Sequence, residues 1–328
     1  MVTITDIAAA LGVTPSTVSR ALAGSPRVKP QTREAVLKTA AEMGYERNVM
    51  ASSLRSGRSQ IVGIVVPRIY HEFFSKVIAG AESLLREAGY NLMICQTHES
   101  LDAEVKALKA LRNNHVAAVL LSHSLEATDG SHIAEALGGE IPLVQFDRVF
   151  DSLPGAKVVN DNFEGAYCAT RLLASNGYTR IGHFSGLQSC SVFRERLAGY
   201  RKALEDSGLS YDEGLVFHDA IMRESGREAA KKALECGCDA IYSAGAFSAL
   251  GAMEFLRERG VQVPGEFGIA GTANESFTAI TAPSLTTLDQ HSIEMGREAA
   301  KAFLYGLSSI SVVSMELKIR ESSNRKTI

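Results

Sequence analysis

The sequence predicts two parts of different fold class: an all-α helix-turn-helix domain, then a larger α/β domain with two doubly wound lobes. Three observations support this prediction. Short apolar patterns with a period near 3.6 residues, separated by Gly and Pro, fill the first 45 residues. From about residue 60, unbroken apolar runs alternate with longer amphipathic stretches. The alternation occurs twice over, as expected for two parallel sheets covered by helices.

The first predicted helix begins after Thr3 and places Ile4, Ile7 and Leu11 on one face. Asp6 follows Thr3 by three residues, which predicts a capping box with Asp in place of Glu. Gly12 is expected to end this helix. A third helix is predicted from residue 30 to residue 43, so residues 1–46 form the helix-turn-helix domain.

The second helix, residues 14–23, carries the chemistry of this domain. Thr14 is a favourable N-cap, and Pro15 fits the first helical position. Because Val18 and Leu22 face inward, other side chains are left on the outer face, namely Pro15, Ser16, Ser19 and Arg20. Arg20 has the geometry to form a bidentate contact with guanine or to pair with a phosphate. The alternative is a small helical packing module whose Arg20 is merely solvated.

Charge and cysteine content fit a cytoplasmic protein that contacts nucleic acid. Residues 1–60 hold eight Lys and Arg against four Asp and Glu, a net charge of +4, whereas the other 268 residues have a net charge of −7. No apolar run approaches the roughly 20 residues that span a bilayer. Five cysteines without framework spacing predict reduced thiols, and the first residues lack a secretory signal. Cys236 and Cys238 have no second Cys or His pair beside them, so no metal or cofactor is predicted.

Residues 1–60 resemble, in register, the lactose/galactose repressor (LacI/GalR) family of bacterial transcriptional regulators. The motifs that carry the resemblance are Thr5-Asp6-Ile7-Ala8, Gly12-Val13-Thr14, Thr17-Val18-Ser19-Arg20-Ala21-Leu22, Thr32-Arg33 and Gly44-Tyr45. The resemblance implies sequence-specific binding to double-stranded operator DNA. The expected DNA contacts are Thr5, Thr14, Pro15, Ser16, Thr17, Ser19, Arg20, Asn48, Ser52, Leu54 and Arg55.

Residues 47–60 form the expected linker. By resemblance, this segment folds as a hinge helix only on operator DNA and wedges Leu54 into the minor groove, with Asn48 at a matching position. The alternative, a flexible linker, also describes its DNA-free state. The family usually has proline before this asparagine, whereas this chain has Arg47, which adds a potential phosphate contact.

Residues 61–328 form the predicted effector-binding and dimerisation domain. By resemblance to the family's effector domain, which is similar to periplasmic sugar-binding proteins, lobe 1 covers about 61–160 plus 290–320 and lobe 2 about 161–289. The chain is expected to cross between lobes near residues 160 and 290, and the last strands, near 312–319, to return to lobe 1. Ligands of such sheets bind at the carboxyl ends of the strands, here in the cleft between the lobes.

Arg196 is the strongest candidate for ligand contact, because a guanidinium forks well onto hydroxyls or a carboxylate and the matching family position binds ligand. The alternative is a surface arginine at a helix end. Phe74 is either an apolar wall for a sugar face or a core residue, and Asp147 with Arg148 is either a ligand pair or an inter-lobe salt bridge. Asp161 is expected to cap the helix that starts near residue 163. The predicted set also includes His123, Cys190, Ile221, Ala246 and Asn274.

Two polar anchors of the family are absent. Ala273 stands where the family commonly has an Asp that clamps the ligand opposite the arginine, and Gly245-Ala246 replaces a frequent Asn-Asp pair. Loss of a carboxylate opposite Arg196 makes the pocket less negative. We therefore expect an anionic effector, such as a sugar acid or sugar phosphate, with Arg148 or Arg194 assisting.

The sequence thus predicts a homodimeric transcriptional regulator, a repressor that binds a pseudo-palindromic operator under the control of a small carbohydrate-like effector. The alternatives are a stand-alone sugar-binding protein and an α/β enzyme. The second is disfavoured because no G-x-G-x-x-G after the first strand, P-loop, G-x-S-x-G or H-E-x-x-H occurs. DNA affinity that falls steeply with salt would separate a regulator from both alternatives.

Overall fold

The computed structural model describes residues 2–45 and 59–325. The chain divides into two compact units, Met1–Ser59 and Gln60–Ile328. The predicted DNA contacts Asn48, Ser52, Leu54 and Arg55 lie outside the described residues. Within the described ranges, no helix is both long and apolar enough to cross a membrane. No group of three or more His, Cys, Asp or Glu side chains in these ranges is placed to hold a metal ion.

The N-terminal unit has three helices: α1 (Ile4–Leu11), α2 (Pro15–Leu22) and α3 (Pro30–Glu42). The predicted capping box is present, since the Asp6 amide donates to Thr3 Oγ1 at 3.3 Å and the Thr3 amide donates to Asp6 Oδ2 at 2.8 Å. Gly12 ends α1 in the left-handed conformation, with φ of 62°. Each helix contributes a fully buried side chain to one small core, namely Ile7, Val18 and Val36.

The larger unit contains two six-stranded sheets, each the centre of one lobe. The strands of sheet 1, all parallel and in spatial order β11-β5-β4-β3-β1-β2, are β1 (Ile61–Val66), β2 (Asn91–Gln96), β3 (Ala118–Leu121), β4 (Leu143–Phe146), β5 (Ala156–Asn160) and β11 (Ile310–Val313). Its helices are α4 (Glu72–Glu87), α5 (Leu101–Asn113), α6 (Ser131–Leu137) and α11 (Ser292–Leu304). Apolar side chains from both faces of the sheet form the lobe 1 core.

Sheet 2 has the spatial order β12-β10-β9-β8-β6-β7, and only β12 is antiparallel to its neighbour. Its strands are β6 (Ile181–Phe184), β7 (Val216–Phe217), β8 (Ala240–Ser243), β9 (Gly268–Thr272), β10 (Thr286–Asp289) and β12 (Glu316–Lys318). Its helices are α7 (Asn162–Ser175), α8 (Ser191–Asp206), α9 (Arg223–Glu235) and α10 (Ala246–Glu258). Each sheet is therefore buried between helices, which explains the unbroken apolar runs in the sequence.

The chain crosses between the lobes three times, after β5, after β10 and after β11. The prediction that all of the last strands return to lobe 1 was wrong for one strand. β11 pairs with β5 in sheet 1, but β12 pairs with β10 in sheet 2. The physical reason is that β12 satisfies the free edge of β10 through antiparallel pairing of Leu317 with Leu288, and Leu288 belongs to the lobe 2 core.

Candidate functional site

The outer surface of the N-terminal unit is built around α2. Thr14 caps this helix, because the Thr17 amide donates to Thr14 Oγ1 at 3.3 Å. The hydroxyls of Ser16 and Thr17 lie 3.0 Å and 2.9 Å from the same oxygen. Pro15, Ser16 and Arg20 are exposed, while Thr17 is half-buried. The first turn of α2 therefore presents short side chains to solvent, and its last turn presents the cation of Arg20. This is the kind of surface that a recognition helix offers to DNA.

A cavity of about 150 Å³ lies between the two lobes of the larger unit, enough for a molecule built on one ring. Many of the residues that line it lie in segments that come directly after the carboxyl ends of strands in both sheets. Lobe 1 contributes Arg68, His71, Phe73, Phe74, Glu99, Leu125, Asp147 and Arg148. Lobe 2 contributes Val192, Phe193, Arg196, Ile221, Met222, Ala244, Gly245, Ala246, Phe247, Thr272, Ala273 and Glu275, and the second crossover contributes Gln290.

Arg196 is buried in this cavity, with 4% of its surface exposed, so it is not a surface arginine. Its Nε donates to Asn162 Oδ1 at 2.9 Å and its Nη1 donates to the Ala244 carbonyl at 2.8 Å. Both acceptors are neutral, and no carboxylate among residues 2–45 and 59–325 lies within ion-pair distance of its guanidinium. Arg196 is therefore a buried cation held in place by neutral partners.

Arg148 has a different environment. Its two Nη atoms donate to both carboxylate oxygens of Glu99, at 2.7 and 3.2 Å. Burial opposes the charge on both groups, but their mutual attraction prevails, and it lowers the pKa of Glu99 and raises the pKa of Arg148. This pair lies within lobe 1, so Arg148 does not form the inter-lobe salt bridge that the sequence left open. Arg68 approaches the same carboxylate, at 4.0 Å.

Asp147 and His71 are two further titratable residues that line the cavity. Burial raises the pKa of Asp147, because Arg148, Arg196 and a 3.3 Å bond from Ser122 only partly offset its cost. Burial and the charge of Arg68 lower the pKa of His71 to about 4, which leaves its ring neutral at pH 7. The lining of the cavity thus combines hydrogen-bonding side chains with aromatic side chains.

The lobes contact each other where helix α4 begins. The Glu72 amide donates to Glu275 Oε2 at 3.1 Å, and the Ser276 amide donates to Glu72 Oε1 at 3.1 Å. The His71 ring stacks on Phe247 with 4.7 Å between the ring centres. Each lobe therefore supplies a carboxylate to a backbone amide of the other.

Six of the nine predicted effector-binding residues line the cavity: Phe74, Asp147, Arg148, Arg196, Ile221 and Ala246. Phe74 also belongs to the lobe 1 core, and its role as a wall for a sugar face stays a prediction. Ala273 and Gly245, where the family's polar anchors were expected, line it as well. Asp161 caps α7 as predicted, by accepting from the Glu164 amide at 3.2 Å.

Three predicted residues do not line the cavity. The His123 ring stacks on Phe150, with 4.0 Å between the ring centres, and its Nδ1 forms a hydrogen bond with the Ser124 carbonyl. These contacts hold the ring outside the cavity lining. Cys190 is buried as the residue before α8, among apolar side chains. Asn274 points to the edge of sheet 2, where its Oδ1 accepts from Arg320 Nη2 at 2.7 Å. Arg194 is also outside, exposed and bonded to the carbonyls of Gln188 and Ser189.

The sequence-based prediction missed Arg68, His71, Glu99, Phe247, Glu275 and Gln290, all of which line the cavity. One signal was available for two of them. Arg68 and Glu99 follow β1 and β2 by two and three residues, at the edge where ligands of parallel sheets bind. The positions of the others depend on how the lobes meet.

Comparison with known protein families agrees with this arrangement. Residues 59–325 match the family model described as periplasmic binding proteins and sugar binding domain of LacI family, and residues 3–48 match bacterial regulatory proteins, lacI family. The chain belongs to the LacI family. The predicted resemblance is therefore confirmed, and so is the predicted fold: a helix-turn-helix followed by a periplasmic-binding-protein-like α/β domain.

LacI-family relatives with known roles are similar over almost the whole chain. The transcriptional regulator DegA of Bacillus subtilis is 32% identical, with 90% of this chain and 88% of DegA covered. The repressor PurR of Vibrio campbellii is 30% identical, with 93% and 91% covered. The chain is thus a DNA-binding transcription regulator with an effector domain.

Solved structures show the same fold. The transcriptional regulator CelR in complex with cellobiose has a TM-score of 0.73 at 29% identity, covering 98% of this chain and 100% of CelR. The lac repressor dimer bound to operator and the anti-inducer ONPF has a TM-score of 0.86 at 23% identity, covering 98% and 99%. At that identity, the lac repressor supports the fold alone.

Proposed function

We propose that this LacI-family chain is a homodimeric repressor of a pseudo-palindromic operator, controlled by a small anionic, carbohydrate-like ligand in the inter-lobe cavity. One recognition helix covers half of such an operator, so two copies are needed. An exposed apolar surface supports association, because Ile280, with 84% of its surface accessible, adjoins a groove whose lining includes Leu250, Met253 and Pro283. The lac repressor, which has this fold, is a dimer on its operator.

The surface of α2 supports direct base contact. The proposed contacts within the described residues are Thr5, Thr14, Pro15, Ser16, Thr17, Ser19 and Arg20. Arg20 is the residue best suited to discriminate among bases, since it is exposed and carries a bidentate donor. In the linker, Asn48, Ser52, Leu54 and Arg55 are proposed to contact the operator as well.

The operator contact is tested with Arg20→Ala. Operator duplexes selected from a random pool with the wild-type chain are titrated by fluorescence anisotropy, beside a scrambled duplex. Loss of one bidentate base contact is worth about 1–3 kcal/mol, so we expect the Kd for the operator to rise about 5- to 150-fold. The Kd for the scrambled duplex should change much less. Lys38→Ala is the matched control, since Lys38 is exposed on α3 and pairs with Glu42. Equal losses on both duplexes would contradict base readout by Arg20.

The neutral surroundings of the buried Arg196 are the observation that supports an anionic ligand. Buried charges in proteins are normally paired, and Arg148 has Glu99 as its partner, whereas Arg196 has only neutral ones. Its Nη2 has no hydrogen-bond partner within the described part of the chain. A carboxylate or phosphate at the cavity end of Arg196 would balance its charge. Asp147 would then accept from ligand hydroxyls, and aromatic side chains would cover the ring.

The ligand class is tested by titration calorimetry with paired compounds, each sugar acid or sugar phosphate beside its neutral parent sugar. We expect tight binding only for the anion. Arg196→Met should weaken that binding about 10- to 150-fold, the value of a charged hydrogen bond. Arg194→Met is the matched control, because Arg194 is two residues away on α8 and outside the cavity. A neutral sugar that binds tightly, with no response to acids, would refute the anionic ligand.

A further inference from the structure

The three connections between the lobes meet at one side chain, Asn160. The first connection leaves β5 at Asn160, the second passes through Gln290 after β10, and the third leaves β11 at Val313. Asn160 Nδ2 donates to the Gln290 carbonyl at 3.0 Å and to the Val313 carbonyl at 2.9 Å. Its Oδ1 accepts from Gln290 Nε2 at 3.0 Å. A single amide therefore joins all three lobe-to-lobe connections.

The side-chain amide of Asn160 is buried, and both its nitrogen and its oxygen form hydrogen bonds. Asn160 is 2% exposed and Gln290 is 5% exposed, so water does not compete for these bonds. Both Nδ2 hydrogens of Asn160 have acceptors and its oxygen has a donor, which only an amide at this position provides. An apolar replacement would leave two carbonyls and one Nε2 donor buried without partners. Aspartate would set a negative oxygen against two carbonyl oxygens.

Asn160 is linked to the ligand cavity in two ways, through its side-chain amide and through its backbone carbonyl. Gln290 lines the cavity. Asn162, in the first connection, accepts from Arg196 Nε at 2.9 Å, and its Nδ2 donates to the Asn160 carbonyl at 3.3 Å. A ligand that moves Gln290 therefore acts on a group bonded directly to Asn160, and a ligand that moves Arg196 acts on Asn160 through Asn162.

We infer that Asn160 is a positioning residue that couples the cavity to lobe orientation, and through it to operator affinity. Rotation of one lobe against the other must change backbone dihedrals at all three connections. Because Asn160 bonds the three together, they change as one unit. This inference rests on the proposed function, since operator DNA is the partner at the other end of the coupling.

The experiment measures whether binding of operator DNA still changes hydrogen exchange at the cleft when Asn160 is substituted. Hydrogen exchange by mass spectrometry is followed in peptides containing the Glu72 and Ser276 amides, which bond across the cleft. The probe is the selected operator duplex, with operator affinity measured separately by anisotropy. In the wild-type chain we expect operator to change these exchange rates by about 5-fold or more, the lower range of allosteric coupling. Asn160→Asp and Asn160→Leu should abolish this response, while operator binding itself is retained and its Kd changes by no more than the lost coupling.

Asn176→Ala is the matched control, because Asn176 Nδ2 donates to the Ser323 carbonyl at 2.8 Å within lobe 2 and joins no crossover. It should lower thermal stability and keep the exchange response. Gln290→Met, which removes one bond to Asn160, serves if the Asn160 variants do not fold. The inference is overturned if the variants retain the response, if Asn176→Ala loses it too, or if the wild-type chain shows none. Absence of operator binding in the anisotropy assay would instead contradict the proposed function.

Discussion

Two arginines that line the same cavity differ in how their charges are compensated. Arg148 is neutralised by Glu99 within its own lobe, while Arg196 is bonded to an amide oxygen and a carbonyl. Because its charge has no carboxylate partner, Arg196 is the arginine that we propose to bind an anionic ligand, whereas Arg148 has its charge balanced within lobe 1. The sequence places both arginines near strand or helix ends, but their partners come from residues 34 to 49 positions away.

His183 is a fully buried titratable residue that lies outside the cavity lining. Its ring stacks between Tyr200 and Tyr242, and Nδ1 lies 3.0 Å from the Tyr242 carbonyl. Burial lowers the pKa of His183 from 6.5 to about 3. Between pH 6.5 and about 3, His183 is therefore neutral in the folded state and protonated in the unfolded state. The stability that His183 contributes is complete above pH 6.5 and is lost as the pH falls towards 3.

We predict that His183→Phe reduces the acid sensitivity of folding. Each such histidine costs about 1.4 kcal/mol of unfolding free energy per pH unit below its unfolded pKa. Urea unfolding at pH 7, 6 and 5 should therefore show a shallower decline for His183→Phe than for the wild-type chain. His218→Phe is the control, because the His218 side chain is 46% exposed. An identical pH slope in all three proteins would show that His183 does not carry the effect.

At the scale of elements, strongly patterned segments were predicted closely and weakly patterned ones were missed. Apolar runs after residue 60, among them Ile61–Val66, Leu143–Phe146 and Ile181–Phe184, are strands as predicted. Strand β7 was not predicted, since it has only two residues. Strand β12 was assigned to the wrong lobe because its three residues carry no local signal for which sheet edge is free.

Helix packing shows what an element gains from its neighbours. A Cβ on Gly296 of α11 would lie 2.0 Å from the Val77 carbonyl of α4, and a Cβ on Gly80 would lie 2.1 Å from the Ile293 carbonyl. The two helices can approach this closely only because both positions are glycine. In the sequence these glycines interrupt helical patterns at a cost in propensity. The reason for these glycines is visible only in the folded structure, where both helices lie on sheet 1 and contact each other.

At a larger scale, both lobes line the cavity, and two of the places where they are bonded to each other involve residues described above. One is the start of α4, where Glu72 and Glu275 exchange backbone contacts across the cleft. The other is the Asn160 amide at the crossovers. Opening of the cleft would have to break the bonds that cross it at the start of α4.

Association into a dimer is the prediction at this scale. Ile280 is exposed beside a groove lined by Leu250, Met253 and Pro283. Ile280→Asp should give monomers in sedimentation velocity, because it places a charge in the proposed contact. Operator affinity should then fall about 100-fold or more, since two half-site contacts no longer act together. Tyr305→Asp is the control, another exposed apolar residue, at the end of α11. A dimeric Ile280→Asp chain would place the interface elsewhere.

The sequence by itself determined the two fold classes, the recognition helix and the family, because these depend on local periodicity, capping and short motifs in register. It also indicated Arg196, Asp147 and Phe74, which line the inter-lobe cavity. The tertiary structure alone decided which lobe takes β12, that Glu99 neutralises Arg148, and that His123, Cys190 and Asn274 lie off the cavity. It also brought Asn160, Gln290 and Val313 together. These outcomes depend on contacts between residues far apart in the chain, and local patterning carries no information about such contacts.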